Sequence, residues 1–253
     1  MKPTAIGRIL FWRQGSLWIG LAGEPSGSHA HHAVQITLPF PGCHARLQSP
    51  PKEWMTYDAV IVAANHRHAF EARGQHIAQI FLDPQSSAGR VLQSNYQAQG
   101  MAALEDETIK PLIAALASAF ESRASNEKLI ELAELVVATL AGAANKPAAS
   151  LDARIELALK LIRKRLAGPI ALEDIAADVH LSPDRFRHLF MKEMGVGFRP
   201  YLLWLRLDFA LTTYVAGSNL TEAAHAGGFA DSAHFSRTFR KMFGIAPVSV
   251  RPE

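Results

Sequence analysis

The feature that most constrains the fold of this chain is an internal duplication near its C-terminus. The segments that begin at Leu172 and Leu220 share a spacing of capping residues, phenylalanines and glycines. Ser182, Phe186, Phe190 and Gly195 recur 49 residues later as Asp231, Phe235, Phe239 and Gly244. Ser and Asp favour the first position of a helix, residues four apart share one helical face, and Gly favours the left-handed position that ends a helix. Each segment is therefore predicted to form a helix-turn-helix motif.

The second helix of each motif is predicted to bury one face and to expose a polar one. By spacings of three and four, the buried residues are Phe186, Leu189, Phe190 and Met194, and then Phe235, Thr238, Phe239 and Met242. The exposed faces carry Asp184, Arg185, Arg187, His188 and Lys192, and then Ser232, Ala233, Ser236, Arg237, Arg240 and Lys241. Arginine hydrogen-bonds guanine edges in pairs, and serine or histidine reaches bases or phosphates. A basic helix face is usually only a solvated surface, but two motifs with matching caps and phenylalanines favour contact with DNA.

A long helix is predicted between the two motifs, over Pro200–Val215. The residues available for its packing are Tyr201, Trp204, Leu205, Leu207 and Leu211. By the rise of an α-helix it spans about 24 Å. We expect it to hold the two second helices toward successive major-groove segments on one face of DNA.

The C-terminal region resembles the DNA-binding domain of the AraC/XylS family. The matching residues are Ile175, Ala176, Ser182, Phe186, Leu189, Phe190, Gly195, Tyr201, Leu205, Arg206, Leu207, Ala210, Gly228, Phe229, Asp231, Phe235, Ser236, Arg237, Phe239, Phe243, Gly244, Pro247 and Arg251. The resemblance implies a transcription regulator whose two recognition helices enter adjacent major grooves of one site. It also implies that Asp184, Arg187, His188, Ser232, Ala233 and Arg237 face the bases. Two of these residues are poorly suited to hydrogen-bond bases. Asp184 is an acid near the phosphates, and Ala233 offers only a methyl group, which can contact the methyl group of thymine.

The first 96 residues show the alternation typical of strands. Val34–Phe40 alternates apolar and other residues, which indicates a half-buried strand. Further strands are predicted at Trp18–Leu21, Ala59–Ala63 and His76–Leu82, separated by segments rich in Gly, Pro, Ser and Asn. Several short strands at this spacing favour an antiparallel sandwich or barrel.

Histidines are concentrated in this N-terminal region, which holds seven of the 11 within its first 76 residues. The spacing from Gly23 to Gly42 resembles the first cupin motif, with Gln35 in the place of the usual Glu, and His68 matches the histidine of the second motif. Because His29, His31 and Gln35 are separated by even numbers, we expect them on one side of one strand, with His68 opposite. The preferred interpretation of these four residues is an organic-effector pocket without a cofactor. There are two alternatives. One is a metal site at His29, His31 and His68, since imidazole suits zinc, iron, nickel or copper. The other is a purely structural barrel.

Residues 97–148 are predicted to form a helical pair that ends in a linker at Asn145-Lys146-Pro147. One apolar stripe comprises Leu112, Ile113, Leu116 and Phe120, and the other Leu129, Leu132, Leu135, Val136 and Leu140. These stripes need a partner. Since two-fold dimers are the commonest oligomers, we predict a homodimer, with packing on the chain's own barrel as the alternative.

Composition excludes several other classes of protein. The chain is 49% hydrophobic and 19% charged, which is typical of globular domains. No apolar stretch approaches the ~20 residues of a membrane span, and Arg8 and Arg13 interrupt the apolar N-terminus, so no signal peptide is expected. The lone Cys43 is a reactive thiol or a small core residue. The net charge of +3 lies entirely in residues 151–253, since the first 150 carry 12 basic and 12 acidic side chains.

Together these features predict a multidomain α and β protein. It comprises a cupin-like antiparallel β-barrel sensor (1–96), a helical pair for dimerisation (97–148) and an all-α tandem helix-turn-helix domain (149–253). The predicted function is a cytoplasmic, non-enzymatic transcription regulator that binds double-stranded DNA and RNA polymerase and responds to a small-molecule effector. One alternative is a DNA-binding module fused to a metal-dependent cupin oxygenase or isomerase, or to a metal sensor. The other is an architectural DNA-binding protein without an effector.

Overall fold

A computed structural model describes residues 5–105, 107–142, 150–166 and 168–252. The chain divides into two compact units. The first comprises Met1–Ala148 together with Arg240–Glu253, and the second comprises Ala149–Phe239. The last 14 residues of the sequence therefore belong to the N-terminal unit, and the boundary between the units falls inside the last helix.

The first unit contains two β-sheets. Its strands are β1 (Ala5–Trp12), β2 (Gly15–Leu21), β3 (Ser26–His29), β4 (Val34–Pro39), β5 (Ala45–Gln48), β6 (Trp54–Tyr57), β7 (Val60–Val62), β8 (His68–Glu71), β9 (His76–Leu82), β10 (Met101–Ala103) and β11 (Val250–Pro252). The larger sheet has the order β10-β7-β4-β9-β2-β1-β11, and the smaller has the order β3-β8-β5-β6. All pairs are antiparallel except β1 with β11, where Ala5 lies opposite Val250. The predicted antiparallel β fold is confirmed, with its described strands divided between two sheets.

Strand β4 corrects one expectation from the sequence. All six of its residues are buried, whereas the alternation predicts a half-buried strand. The reason is its central position, because β7 and β9 flank it and both of its faces are covered. Val34, Ile36 and Leu38 join the hydrophobic core. Gln35 and Thr37 alternate with them, and the Gln35 side-chain amide donates to the Thr37 hydroxyl at 2.9 Å.

Helices α1 (Ser87–Tyr96), α2 (Lys110–Glu121) and α3 (Asn126–Gly142) complete the first unit. The stripes on α2 and α3 are covered within the chain, since Leu116, Leu129 and Val136 lie in one core cluster with the β4 side chains. The stripes are therefore not open to a second copy, and the alternative, packing on the chain's own β-sheets, is the one that the structure shows. The homodimer itself stays a prediction. Leu135 does not belong to its stripe and is 48% exposed.

Two elements of the first unit were not identified from the sequence. Helix α1 begins at Ser86, whose hydroxyl accepts from the Gly89 amide at 3.0 Å, in a region predicted to hold only strands. Strand β10 pairs with β7 in a region predicted to be helical. The predicted linker at 145–147 lies outside the described residues.

The second unit is helical within its described residues. Its elements are α4 (Ala153–Lys164), α5 (Leu172–Asp178), α6 (Pro183–Met194), α7 (Phe198–Val215), α8 (Leu220–Ala226) and the larger part of α9 (Ser232–Phe243). The Ser182 hydroxyl caps α6, and Gly195 ends it with a φ of 63°. Phe186, Phe190, Phe235 and Phe239 are fully buried. The two predicted helix-turn-helix motifs and the long helix between them are confirmed.

Candidate functional site

Helix α6 exposes the polar face that the sequence predicts. Asp184, Arg185, Arg187 and His188 are all exposed. The Arg187 guanidinium forms an ion pair with the Asp184 carboxylate one helical turn earlier. The His188 Nδ1 atom lies 2.8 Å from the Asp184 main-chain oxygen. This face can contact a polyanion, but the carboxylate of Asp184 competes for Arg187.

Helix α9 offers a more positive face. Asp231 caps it by accepting from the His234 amide at 2.6 Å, and this hydrogen bond lowers the pKa of the Asp231 carboxyl. Ala233, Arg237 and Arg240 are exposed, and Ser232 and Ser236 are half-buried. Within the described residues, neither arginine forms an ion pair, so both guanidinium groups are available to phosphates or base edges.

The end of α9 is the functional feature that the sequence analysis missed. Phe243 is buried within the first unit, where its ring stacks on Trp18 at a centroid distance of 5.2 Å and on His31 at 5.8 Å. Phe81 meets the same ring edge-on at 5.5 Å. The signal was present, because the four-residue spacing of Phe235 and Phe239 and the 49-residue offset from Met194 both lead to Phe243, whereas the sequence analysis assigned the buried position to the neighbouring Met242.

The predicted pocket residues lie on different elements, and the expectation that His29, His31 and Gln35 share one strand is wrong. His29 ends β3 in the smaller sheet, His31 lies in the following loop, and Gln35 lies in β4 of the larger sheet. The chain crosses between the sheets after His29, so even spacing does not describe this segment. His68 begins β8.

The four side chains nevertheless come together. The ring of His68 lies 4.3 Å from that of His29 and 5.2 Å from that of His31, measured between centroids. The Nε2 atoms of His31 and His68 lie 2.9 and 3.2 Å from the side-chain oxygen of Gln35. All four residues are buried. Their convergence follows from the β3 to β8 pairing, which places His29 opposite His68.

Main-chain oxygen atoms orient the three rings in the same way. The Nδ1 atom of His29 lies 2.7 Å from the Gly27 oxygen, that of His31 lies 3.2 Å from the Ala33 oxygen, and that of His68 lies 3.0 Å from the His66 oxygen. A carbonyl oxygen can only accept, so the tautomer that carries its proton on Nδ1 satisfies all three of these contacts. In that tautomer the Nε2 atom of each neutral ring keeps a lone pair.

Burial keeps these imidazoles uncharged. Desolvation lowers the pKa of His29 and of His68, and it lowers the pKa of His31 to about 3. The charges of the neighbouring imidazoles lower the pKa of His31 and His68 further. At neutral pH the cluster presents lone pairs rather than positive charge.

A cavity of about 110 Å³ lies beside the cluster in the first unit. His29 and Gln35 line it, whereas His31 and His68 are not on its wall. Its other walls are mostly apolar and include Trp18, Phe81, Phe243 and Val250. The further polar residues of the wall are Arg8, Glu24, Ser26, Gln79 and Ser249. A site of this size holds several waters or a small organic molecule. None of the described helices is long and apolar enough to cross a membrane.

A family model described as a helix-turn-helix domain matches residues 175–252. The uncharacterized HTH-type transcriptional regulator YijO of Escherichia coli is 35% identical over 130 residues, which cover 48% of this chain and 46% of YijO. The chain thus spans about half the length of this curated relative.

Solved structures of ToxT from Vibrio cholerae resemble almost the whole chain. An apo ToxT variant has a TM-score of 0.64 and 14% identity, over 95% of this chain and 97% of that one. ToxT with a bound unsaturated fatty acid has a TM-score of 0.54 and 14% identity, over 88% of each chain. At this identity the likeness shows the fold.

Proposed function

We propose that this chain, a member of the AraC family by its helix-turn-helix domain, is a sequence-specific DNA-binding transcription regulator whose N-terminal unit responds to an effector. The observation that carries the proposal is the duplicated motif, in which two capped helices present polar, largely basic faces. Both helices lie inside the matched domain. Relatives such as YijO are named transcriptional regulators, which supports a regulator over the enzyme alternative.

Helices α6 and α9 are proposed to enter the major groove. Arg187 and Arg237 read bases, because a guanidinium can bond both acceptors of a guanine. Asp184, His188, Ser232 and Ala233 lie near the same bases, and Arg185, Ser236 and Arg240 contact phosphates and fix the register. In this arrangement Arg187 must break its ion pair with Asp184 before it can bind a base. Arg237 forms no ion pair among the described residues and has none to break.

The cavity beside the histidine cluster is proposed as the effector site. His29 and Gln35 form its polar end, and His31 and His68 contact the Gln35 side chain from behind the wall. Phe243 supplies part of the cavity wall and is also the last residue of α9. An occupant that moves Phe243 therefore acts on the helix that carries Arg237. The fatty acid bound by ToxT, a protein of similar fold, supports effector control.

Dimerisation, contact with RNA polymerase and a cytoplasmic location complete the proposal. Because the apolar stripes of α2 and α3 are covered, the dimer contact is assigned to the outer face of α3, where Leu135 is exposed. Leu135→Asp should give a folded monomer in light scattering. Leu132→Asp, which places a charge in the core, should instead unfold the first unit. A dimer that survives Leu135→Asp contradicts this assignment.

Selection of duplexes from a random DNA pool by the full chain tests the proposed function. We expect one sequence to be enriched, and we expect fluorescence anisotropy to show about 10³-fold tighter binding to it than to a scrambled duplex. Arg13→Ala, an exposed change in the first unit, is the control and should leave both affinities unchanged. Equal affinity for the two duplexes overturns the proposal.

A further inference from the structure

We infer that His29, His31 and His68, assisted by Gln35, bind one divalent transition-metal ion. Imidazole nitrogen is a ligand for zinc, iron, nickel and copper. This metal site lies next to the cavity proposed for the effector and goes beyond the proposed function, and only its regulatory consequence rests on that function.

The spacing of the donor atoms fits a metal ion. One ligand atom from each histidine lies within 4.8 Å of the others. Nitrogen atoms that share a zinc ion at ~2.0–2.1 Å lie roughly 3–4 Å apart. The distances of 2.9 and 3.2 Å from the Gln35 oxygen to the Nε2 atoms of His31 and His68 already approach that spacing. A small closure of the His29 ring completes the set.

The surroundings of the rings also fit metal ligation. Metal-binding histidines commonly donate their other ring N–H to a carboxylate or a main-chain carbonyl, which fixes the tautomer and makes the ligand nitrogen more basic. All three rings have such a carbonyl at Nδ1, as described above. Their neutral state means that no proton has to be displaced before a metal binds.

The position of Gln35 raises a hydrogen-bonding conflict that a cation resolves. The neutral rings of His31 and His68 each carry a single N–H, yet both nitrogen atoms of each ring face an acceptor, a main-chain oxygen at Nδ1 and the Gln35 oxygen at Nε2. A rotated Gln35 amide could donate to these two rings instead. That rotation does nothing for His29, whose Nε2 makes no hydrogen bond with a described residue. A metal ion engages all three rings.

The cluster also adjoins the end of α9. The His31 ring stacks on Phe243. A Cβ atom at Gly244 would lie 2.8 Å from the Nδ1 atom of His29, so the backbone after α9 packs directly on that ring. Metal binding, which draws the rings together, therefore acts on the last turn of the second recognition helix.

Titration of the chelator-treated full chain with Zn²⁺ by calorimetry, and with Co²⁺ by visible absorption, tests the site. We expect one ion per chain. His68→Ala and His29→Gln should each weaken binding by at least about tenfold, and the exposed His44→Ala should leave it unchanged. Gln35→Glu should tighten binding, because a carboxylate is a stronger ligand than an amide. A rotated-amide network instead predicts that the wild type binds no metal.

Two further measurements separate folding and function from metal binding. Zn²⁺ should raise the melting temperature of the wild type, because a ligand that binds the folded state stabilises it. The increase should be much smaller in His68→Ala and His29→Gln, and cooperative melting of these variants without metal shows that they still fold. The inference is overturned if His68→Ala and His29→Gln both bind the metal ion as tightly as the wild type does. If the chain binds no metal but still selects a DNA sequence, the metal site is wrong and the proposed function stands. If it binds one ion and selects no DNA, the metal site stands and the proposed function fails.

Discussion

Helices α6 and α9 arise from one duplicated pattern but end in different surroundings. Each begins at a polar cap, buries two phenylalanines four residues apart, and is followed by a left-handed glycine. A Cβ atom at Gly195 would meet nothing within 4 Å. A Cβ atom at Gly244 would lie 2.7 Å from the Gly27 oxygen and 2.8 Å from His29 Nδ1. The first helix ends in open space, and the second ends against the histidine cluster.

The residue before each glycine shows the same difference. Met194 packs in the hydrophobic core of the second unit, with Phe186 and Phe190. Phe243, at the equivalent position, packs in the first unit against Trp18 and His31. Two copies of one motif can therefore keep a similar exposed polar face while the last residues of one copy pack in different surroundings.

The largest expected effect comes from the two glycines. Gly195→Ala forces a side chain into a left-handed conformation and should cost about 1–2 kcal/mol. Gly244→Ala has the same backbone cost and adds overpacking against backbone atoms, which should raise the total by roughly a further 1–3 kcal/mol. Urea unfolding of both variants measures the two losses. Equal losses would show that the end of α9 is as free as that of α6.

The second test compares the arginines proposed to read bases. Arg237→Ala should cost ~1–3 kcal/mol on the selected duplex and much less on random DNA. Arg187→Ala should cost less than Arg237→Ala, because Arg187 first has to leave Asp184. Anisotropy on both duplexes gives the four values. Equal losses on selected and random DNA would assign these arginines to phosphates.

The smallest effect is expected at Asp184. Asp184→Asn removes an exposed ion-pair partner and a negative charge near phosphates, so it should tighten DNA binding by up to about fivefold. The gain should shrink at high salt, since surface charges are screened. Asp231→Asn on α9 is the matched control, because Asn also caps a helix and Asp231 forms no ion pair among the described residues. If Asp184→Asn weakens binding, the ion pair itself orients Arg187 for reading.

The local parts of this molecule were predictable from the sequence. Ser182 and Gly195 mark the ends of α6 through their own backbone preferences, and the four-residue spacing of Phe186 and Phe190 identifies its buried face. Strand β9 was predicted at its observed bounds. These features depend on residues close in sequence.

The parts that were missed depend on distant residues. The position of Phe243 beside Trp18 joins opposite ends of the chain, as does the pairing of β1 with β11. The crossing of the chain between two sheets after His29 breaks the even-number rule that predicted a common strand for His29 and Gln35. The histidines were identified by spacing, but the shared main-chain carbonyl at each Nδ1 required the structure.

Hydrogen–deuterium exchange of the full chain with Phe243→Ala and with Met194→Ala tests the central difference between α6 and α9 most directly. Phe243→Ala should increase exchange in β2 and β9, whose Trp18 and Phe81 contact the missing ring, and in the last turn of α9. Met194→Ala should increase exchange in α5 and α6 and leave β2 and β9 unchanged. The account is contradicted if Phe243→Ala leaves β2 and β9 protected, or if both variants expose them equally.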